Sequence, residues 1–358
     1  MRVGIVGLPN AGKSSLFNAL TRAGAPAANY PFTTIEPNVA VVPVADERLD
    51  AVAAAAGSPE VLPDTIAFHD IAGLVAGAHR GEGLGNAFLG HIRATDAIVH
   101  VVRAHADPAV VHPGGRVDPV ADARTVETEL VLADLEHAQR RQERVERRAR
   151  GGERAAIAEQ AWLQELIGTL QQGRPARELP APEEAADAAT LGLLSAKPVL
   201  FVANVDEGSD EVPAELAEHA AAQGAMAIAL PARLESELAE LEAGEAAALR
   251  EELGAGDPGL GRVVRGAFSL LDLVAFFTAH EGRPAQSRHL RRGSSAWQAA
   301  GLVHGDMQRG FVRAEVIAWQ ALVEAGGYAG ARDRGTLRLE GRDYVVTDGD
   351  VITFRFTT

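Results

Sequence analysis

Immediately after the apolar run 3–6 the chain reads Gly7-Leu8-Pro9-Asn10-Ala11-Gly12-Lys13-Ser14, a complete GxxxxGK[ST] motif in the setting it requires, between a strand and a helix. Gly7 and Gly12 let the backbone wrap closely around a phosphate, while successive N–H groups and the N-terminus of the following helix face the anion. Lys13 reaches the β- and γ-phosphates, and Ser14 offers its hydroxyl to Mg²⁺. Composition sharpens the point, because of 34 lysines and arginines only Lys13 and Lys197 are lysine. A compact ammonium fits between phosphate oxygens where a planar guanidinium does not, which accounts for a lysine at position 13.

Strand-like apolar runs recur at 3–6, 39–44, 66–69, 97–102, 199–203 and 225–230, separated mostly by helix-length segments, as in a parallel α/β sheet. The interval 103–198 is too long for one crossover. Within it Val131, Leu135, Ala138 and Val145 share a helical face, Gly151-Gly152 interrupts, and Ala156, Leu163, Ile167 and Leu170 resume the spacing. This predicts an inserted antiparallel helical hairpin, with Arg140, Arg141, Glu143, Arg144, Glu146, Arg147 and Arg148 as its solvated surface. After about Phe277 short, glycine-punctuated β-like pieces follow, and Asp348-Gly349 signals a tight hairpin.

Further residues extend the phosphate site. Asp70-Ile71-Ala72-Gly73 follows the run 66–69, so Asp70 is placed to hold Mg²⁺ through water and Gly73 to present its N–H to a γ-phosphate. Thr33-Thr34 lies between the loop and the second strand, where the Thr34 hydroxyl completes Mg²⁺ coordination in a switch segment. Leu74 stands where many GTPases keep a water-orienting glutamine, which implies slow hydrolysis or another way of placing water. At the base, Asn204-Val205-Asp206-Glu207 follows the run 199–203 where guanine-specific proteins carry Asn-Lys-x-Asp. Glu207 is one methylene longer than aspartate, and adenine offers one donor where guanine offers two, so the pattern favours ATP, with Val205 giving an apolar contact. A one-residue shift of the loop would let Asp206 serve guanine.

The net charge of −15 argues against nucleic acid globally, yet between 282 and 314 lie Arg283, Arg288, Arg291, Arg292, Arg309 and Arg313 against the single acid Asp306, beside Trp297 and Phe311, which predicts one basic surface for ribosomal RNA unless the arginines are simply a solvated face. There is no cysteine, so disulfides and thiolate metal sites are excluded. No apolar run approaches membrane-spanning length and no export leader is legible, so the expected location is the cytoplasm, with no membrane partner.

Taken together, these residues resemble the YchF-type Obg-like ATPases, translation-factor-related P-loop proteins. The likeness rests on Tyr30-Pro31-Phe32-Thr33-Thr34-Ile35-Glu36-Pro37-Asn38, on DIAGLVAGAHRGEGLGNAFL at 70–89, on TELVLAD at 128–134 and on the tail 337–351, and it covers essentially the whole chain. It implies a P-loop nucleotide domain (1–121 and 196–277), an inserted helical, coiled-coil-like domain (122–195) and a C-terminal β-grasp, TGS-like α+β domain (278–358). It also implies an ATP site of Asn10, Ala11, Gly12, Lys13, Ser14, Ser15, Gly73, Asn204, Val205 and Glu207, with Lys13 catalytic. Mg²⁺ would be held by Ser14, Thr34 and Asp70, a stimulatory K⁺ by Asn10, and His112 would be a catalytic histidine in a mobile loop. The implied function is an ATP-hydrolysing regulatory switch, slow in turnover and monomeric. It would associate with ribosomes, as the large subunit or 70S particle, and with their RNA, and modulate translation or the stress response. The alternatives are a GTPase with an unusual base pocket, and a ribosome- or RNA-binding adaptor whose nucleotide site is structural. Departures from the family pattern are Ala76 for lysine, Pro231-Ala232 for Ser-Ala, and an altered 282–290 segment.

Overall fold

The computed structural model describes residues 1–23, 38–71, 84–107, 110, 112, 115–185, 188–253 and 259–357. Thr34, Gly73, Leu74 and Ala76 therefore lie outside the described residues. The chain divides into two units, one of Met1–Val42 and Ala67–Leu270, the other of Pro43–Ile66 and Leu271–Thr358.

In the first unit, strands β1 (Arg2–Val6), β2 (Val39–Pro43), β4 (Thr65–Asp70), β5 (Ala97–Arg103), β6 (Val199–Asn204) and β7 (Met226–Leu230) form a sheet in the order β2-β4-β1-β5-β6-β7. All six expected strands are present. From β4 to β7 the pairs are parallel. Every residue of β5 and β6 is buried, as central parallel strands covered on both faces require. Helices α1 (Lys13–Ala23), α3 (Leu84–Arg93), α6 (Ala214–Ala222), α7 (Ala232–Leu238), α8 (Ala243–Glu252) and α9 (Gly259–Ser269) belong to this unit.

The predicted hairpin consists of α4 (Pro119–Arg150) and α5 (Arg154–Gln171). Asp118 caps α4 by accepting from the Ala121 N–H, and Pro119 starts it where no N–H is needed. Val131, Ala138, Val145, Ala156, Leu163 and Leu170 meet in one core, as their 3.6-residue period requires. The break at Gly151-Gly152 is a true turn, with Gly152 at φ +82°.

The second unit holds β3 (Val61–Leu62), β8 (Leu273–His280), β9 (Arg283–Arg291), β10 (Phe311–Ala318), β11 (Arg338–Glu340) and β12 (Asp350–Phe356), ordered β11-β10-β12-β8-β9-β3. The last strand, β12, returns to lie parallel to β8, the first strand of the β8–β9 hairpin, which is the β-grasp arrangement. Alternation divides the sheet's two faces. Phe277, Ile317 and Val351 pack with α2 (Glu47–Ala56) and α12 (Trp319–Ala325), whereas Phe276, Val316 and Ile352 pack with α10 (Ala296–Val303). Two short helices, α11 (Gly305–Arg309) and α13 (Tyr328–Asp333), complete the unit.

Three expectations require correction. Residues 43–66 were assigned to the nucleotide domain, yet Leu49, Val52, Ala53 and Ala56 bury against Phe277 and Leu322, so an apolar helix face places this excursion in the second unit. Asp348-Gly349 turns the chain, with Gly349 at φ +86°, but makes no hairpin, because Val345 bridges Ser295 and the edges of β12 are taken by β10 and β8. The six arginines of 282–314 do not form one face. Arg283 and Arg291 stand at opposite ends of β9, Arg288 points to the other side of that strand, and Arg292 and Arg309 are engaged by Asp272 and Asp306.

Candidate functional site

β1 delivers the phosphate loop at its carboxyl end, and two glycines shape it. Gly7 has φ +155° and Gly12 φ +101°. A Cβ on Gly7 would sit 2.3 Å from the Val101 carbonyl oxygen, and one on Gly12 would sit 2.3 Å from the Asn204 amide nitrogen. Packing therefore demands glycine at both positions as strictly as the dihedrals do. Asn10, at φ +62°, takes a left-handed conformation that asparagine tolerates better than most residues.

Lys13 is buried, and its Nζ donates to the Leu8 carbonyl at 2.8 Å, curling the side chain back over the loop. Burial pushes its pKa down, and the negative charge of Asp70 pulls it partly back. Asp70, at the end of β4, is raised by burial and lowered by Lys13. Motif residues from two strands thus feel each other's charge as expected. The exposed Ser14 hydroxyl and the Asp70 carboxylate are oxygen donors, which suits Mg²⁺ held chiefly by phosphate oxygens and water.

Asn204 closes β6 with a buried side chain whose two amide ends are both used. Its Nδ2 donates to the Ala11 carbonyl at 3.1 Å, and its Oδ1 accepts from the Ala232 N–H at 3.0 Å. Asn204, the residue expected to read a base, ties the phosphate loop to the start of α7 and lines a pocket on either side. On one side of it a pocket of about 330 Å³ is lined by Asn10, Gly12, Lys13, Ser14 and Ser15. On the other, a pocket of about 360 Å³ is lined by Val205, Asp206, Glu207 and Pro231. His105, Asp107 and Arg233 line both, and none of the three was foreseen. Their signal was positional, since His105 and Asp107 follow the carboxyl end of a central strand, where such sheets bind ligands. Buried Arg103 fixes that segment by donating to the carbonyls of His105 (3.1 Å), Asp107 (3.0 Å) and Val110 (2.9 Å). Val205 is buried in the sheet core while bordering the second pocket, whereas Asp206 and Glu207 are both exposed.

His112 is not among the residues lining either pocket. Its Nε2 lies 2.8 Å from an Asp122 oxygen in the first turn of α4, and both side chains are largely buried. Asp122 is raised by burial and drawn down by this histidine. Among the described residues no cluster of three or more His, Asp or Glu is arranged for a metal, and no helix is long and apolar enough to cross a membrane.

Known proteins share this arrangement. Residues 2–135 match the family model described as 50S ribosome-binding GTPase, and residues 273–357 match the YchF GTPase C-terminal model, described as a protein of unknown function (DUF933). The ribosome-binding ATPase YchF of Bacillus subtilis is 45% identical over 363 residues, covering 99% of both chains. That of Mycoplasma genitalium is 39% identical at the same coverage. The solved structure of the Schizosaccharomyces pombe YchF GTPase aligns with a TM-score of 0.87 and 33% identity, over 99% of this chain and 97% of that one. Near-complete coverage at such identity, together with the loop, sheet and β-grasp unit, shows that the chain belongs to the YchF family.

Proposed function

We propose that this chain is an ATP-hydrolysing switch that associates with ribosomes. The observation that carries the reading is the phosphate loop already closed by Asn204, with Lys13 buried beneath it and an adjoining pocket that contains no lysine. Lys13 and the loop N–H groups hold the phosphate charge, and the carboxyl end of β5 borders the triphosphate path. Ser14, Asp70 and Thr34 would hold Mg²⁺, which would supply positive charge to the bound phosphates, and Asn10 would hold K⁺. His112 leaves Asp122 to orient the attacking water. The chain acts as a cytoplasmic monomer, and its β-grasp domain, of the TGS type, makes partner contacts.

The names of the relatives divide between ATPase and GTPase, so the base is the point to test. Glu207 and Val205 favour adenine for the reasons of length and polarity given above. Calorimetric titration of the full chain with ATP and with GTP, in Mg²⁺ and potassium, should show tighter ATP binding, and a tenfold preference for GTP would overturn the assignment. In the same buffer His112→Ala should slow turnover while leaving affinity intact; an unchanged rate removes His112 from the mechanism. Exchanging potassium for sodium should slow hydrolysis if Asn10 holds the ion.

A further inference from the structure

Along α4, His137, Arg140, Arg141 and Arg144 are spaced i, i+3, i+4 and i+7, so one helical face carries four basic side chains. The fold adds a fifth, Arg93 from the last turn of α3, and together with Thr190 and Leu191 they line a pocket of about 370 Å³. Among the described residues no carboxylate lines it. Two nearby acids already pair with its arginines: buried Glu159 lies 2.7 Å from Arg141, and exposed Glu136 lies 3.4 Å from Arg140. The carboxylate of buried Asp134 accepts from the Leu194 N–H, the Ser195 N–H and the Ser195 hydroxyl.

Two buried nitrogens in this cluster lack hydrogen-bond partners among the described residues, the Arg93 Nε and the His137 Nδ1. Such atoms are costly to leave unsatisfied, and here they lie in one pocket beside three more guanidinium groups. The Arg93 side chain packs against Gly192. Gly192 has φ +58°, and a Cβ there would come within 3.0 Å of the Arg93 Cγ. His137 is held below its ordinary pKa by burial first and then by Arg93, Arg140, Arg144 and Arg141, so the site repels added protons and favours an anion. Arg140 and Arg144 are exposed, as expected of a solvated face, yet they open onto one pocket with Arg93, His137 and Arg141, where basic groups outnumber acceptors. That is the chemistry of a phosphate oxyanion, which guanidinium groups bind by paired N–H donors.

We propose that this pocket binds a phosphate group, from an RNA backbone or from a free polyphosphate, at a site whose residues are all distinct from those of the phosphate loop. The test uses the full chain with ADP and Mg²⁺ saturating the phosphate loop. Arg140→Gln/Arg144→Gln is compared with Arg124→Gln/Arg154→Gln, which removes the same charge from exposed positions outside the pocket. The probes are tripolyphosphate, by calorimetry, and a short labelled single-stranded RNA, by anisotropy. The pocket variant should bind at least one probe about tenfold more weakly than the control variant, while ATP turnover stays the same in both. Loss for RNA, with or without tripolyphosphate, identifies the nucleic-acid backbone as the source; loss for tripolyphosphate alone identifies a free polyphosphate. Equal affinities of the two variants for both probes, or no binding of either probe by the parent, overturns the proposal.

Discussion

The phosphate loop and the arginine pocket at the base of the hairpin lie in the same unit, and they collect positive potential in opposite ways. The loop is eight consecutive residues whose donors are backbone N–H groups, joined by one lysine whose ammonium already has the Leu8 carbonyl as acceptor. The pocket draws side chains from positions 93 and 137–144, crowds like charges together, and leaves two buried nitrogens without partners among the described residues. A site made from backbone is preorganised by the same bonds that fold it, and it stays electrically quiet without ligand. One made from converging side chains stores repulsion that an anion relieves.

The largest test of this contrast is Lys13→Ala. Removing the loop's one buried cation should weaken ATP binding by hundredfold or more, about 3 kcal/mol, as read by calorimetry. A loss below tenfold would mean that the backbone amides suffice to hold the phosphates.

Two histidines sharpen the comparison. His100, fully buried on β5, is held down at about 4 by burial, whereas the arginines contribute to the lowering at His137. Since His100 stays neutral in the fold while the unfolded chain protonates near 6.5, its stability contribution is complete above pH 6.5 and is lost as pH falls toward 4. The loss reaches about 3 kcal/mol. Urea unfolding across that interval should show it, and His100→Gln should flatten the slope. In ring titrations by NMR, Arg140→Gln/Arg144→Gln should raise the His137 pKa and leave His100 where it is. Equal movement of both would show that arginine repulsion is not what distinguishes the pocket.

Asn204→Ala removes both bonds joining the phosphate loop to α7 and should cost about 2 kcal/mol in chemical unfolding. It should weaken ATP and GTP equally. A nucleotide-selective effect would return Asn204 to the role of base reader. The smallest effect is expected from Arg144→Gln, which should stabilise the protein by no more than about 0.5 kcal/mol in thermal melts at low salt and not at all at high salt. Destabilisation would show that Arg144 holds structure rather than awaiting a ligand.

Much of the architecture was legible because it repeats within short windows. The six strands of the first sheet, the hairpin and its Gly151-Gly152 turn follow from periodicity and glycine placement. The Asp348-Gly349 turn was legible too, but not its partners, because strand pairing depends on residues far away in sequence. Arg140 and Arg144 are exposed, as their helical face implies, but that they share a pocket with Arg93 was not legible, for the same reason. Nothing near them in sequence announces Arg93 or the missing acceptors.

By itself, the sequence determined that this protein has a phosphate loop, since Gly7, Gly12, Lys13 and Ser14 act through their own backbone and the helix they begin. It also determined a helical insertion and a β-rich tail. Only the tertiary structure decided that residues 43–66 join the C-terminal unit, that His105, Asp107 and Arg233 border the nucleotide pockets, and that Asn204 ties two loops. It alone held His112 against Asp122 and brought Arg93 to the basic face of α4. The physical reason is range: dihedral preference and helical period act over a few residues, whereas burial, charge and hydrogen-bond satisfaction are settled by whichever distant groups the packed chain brings together.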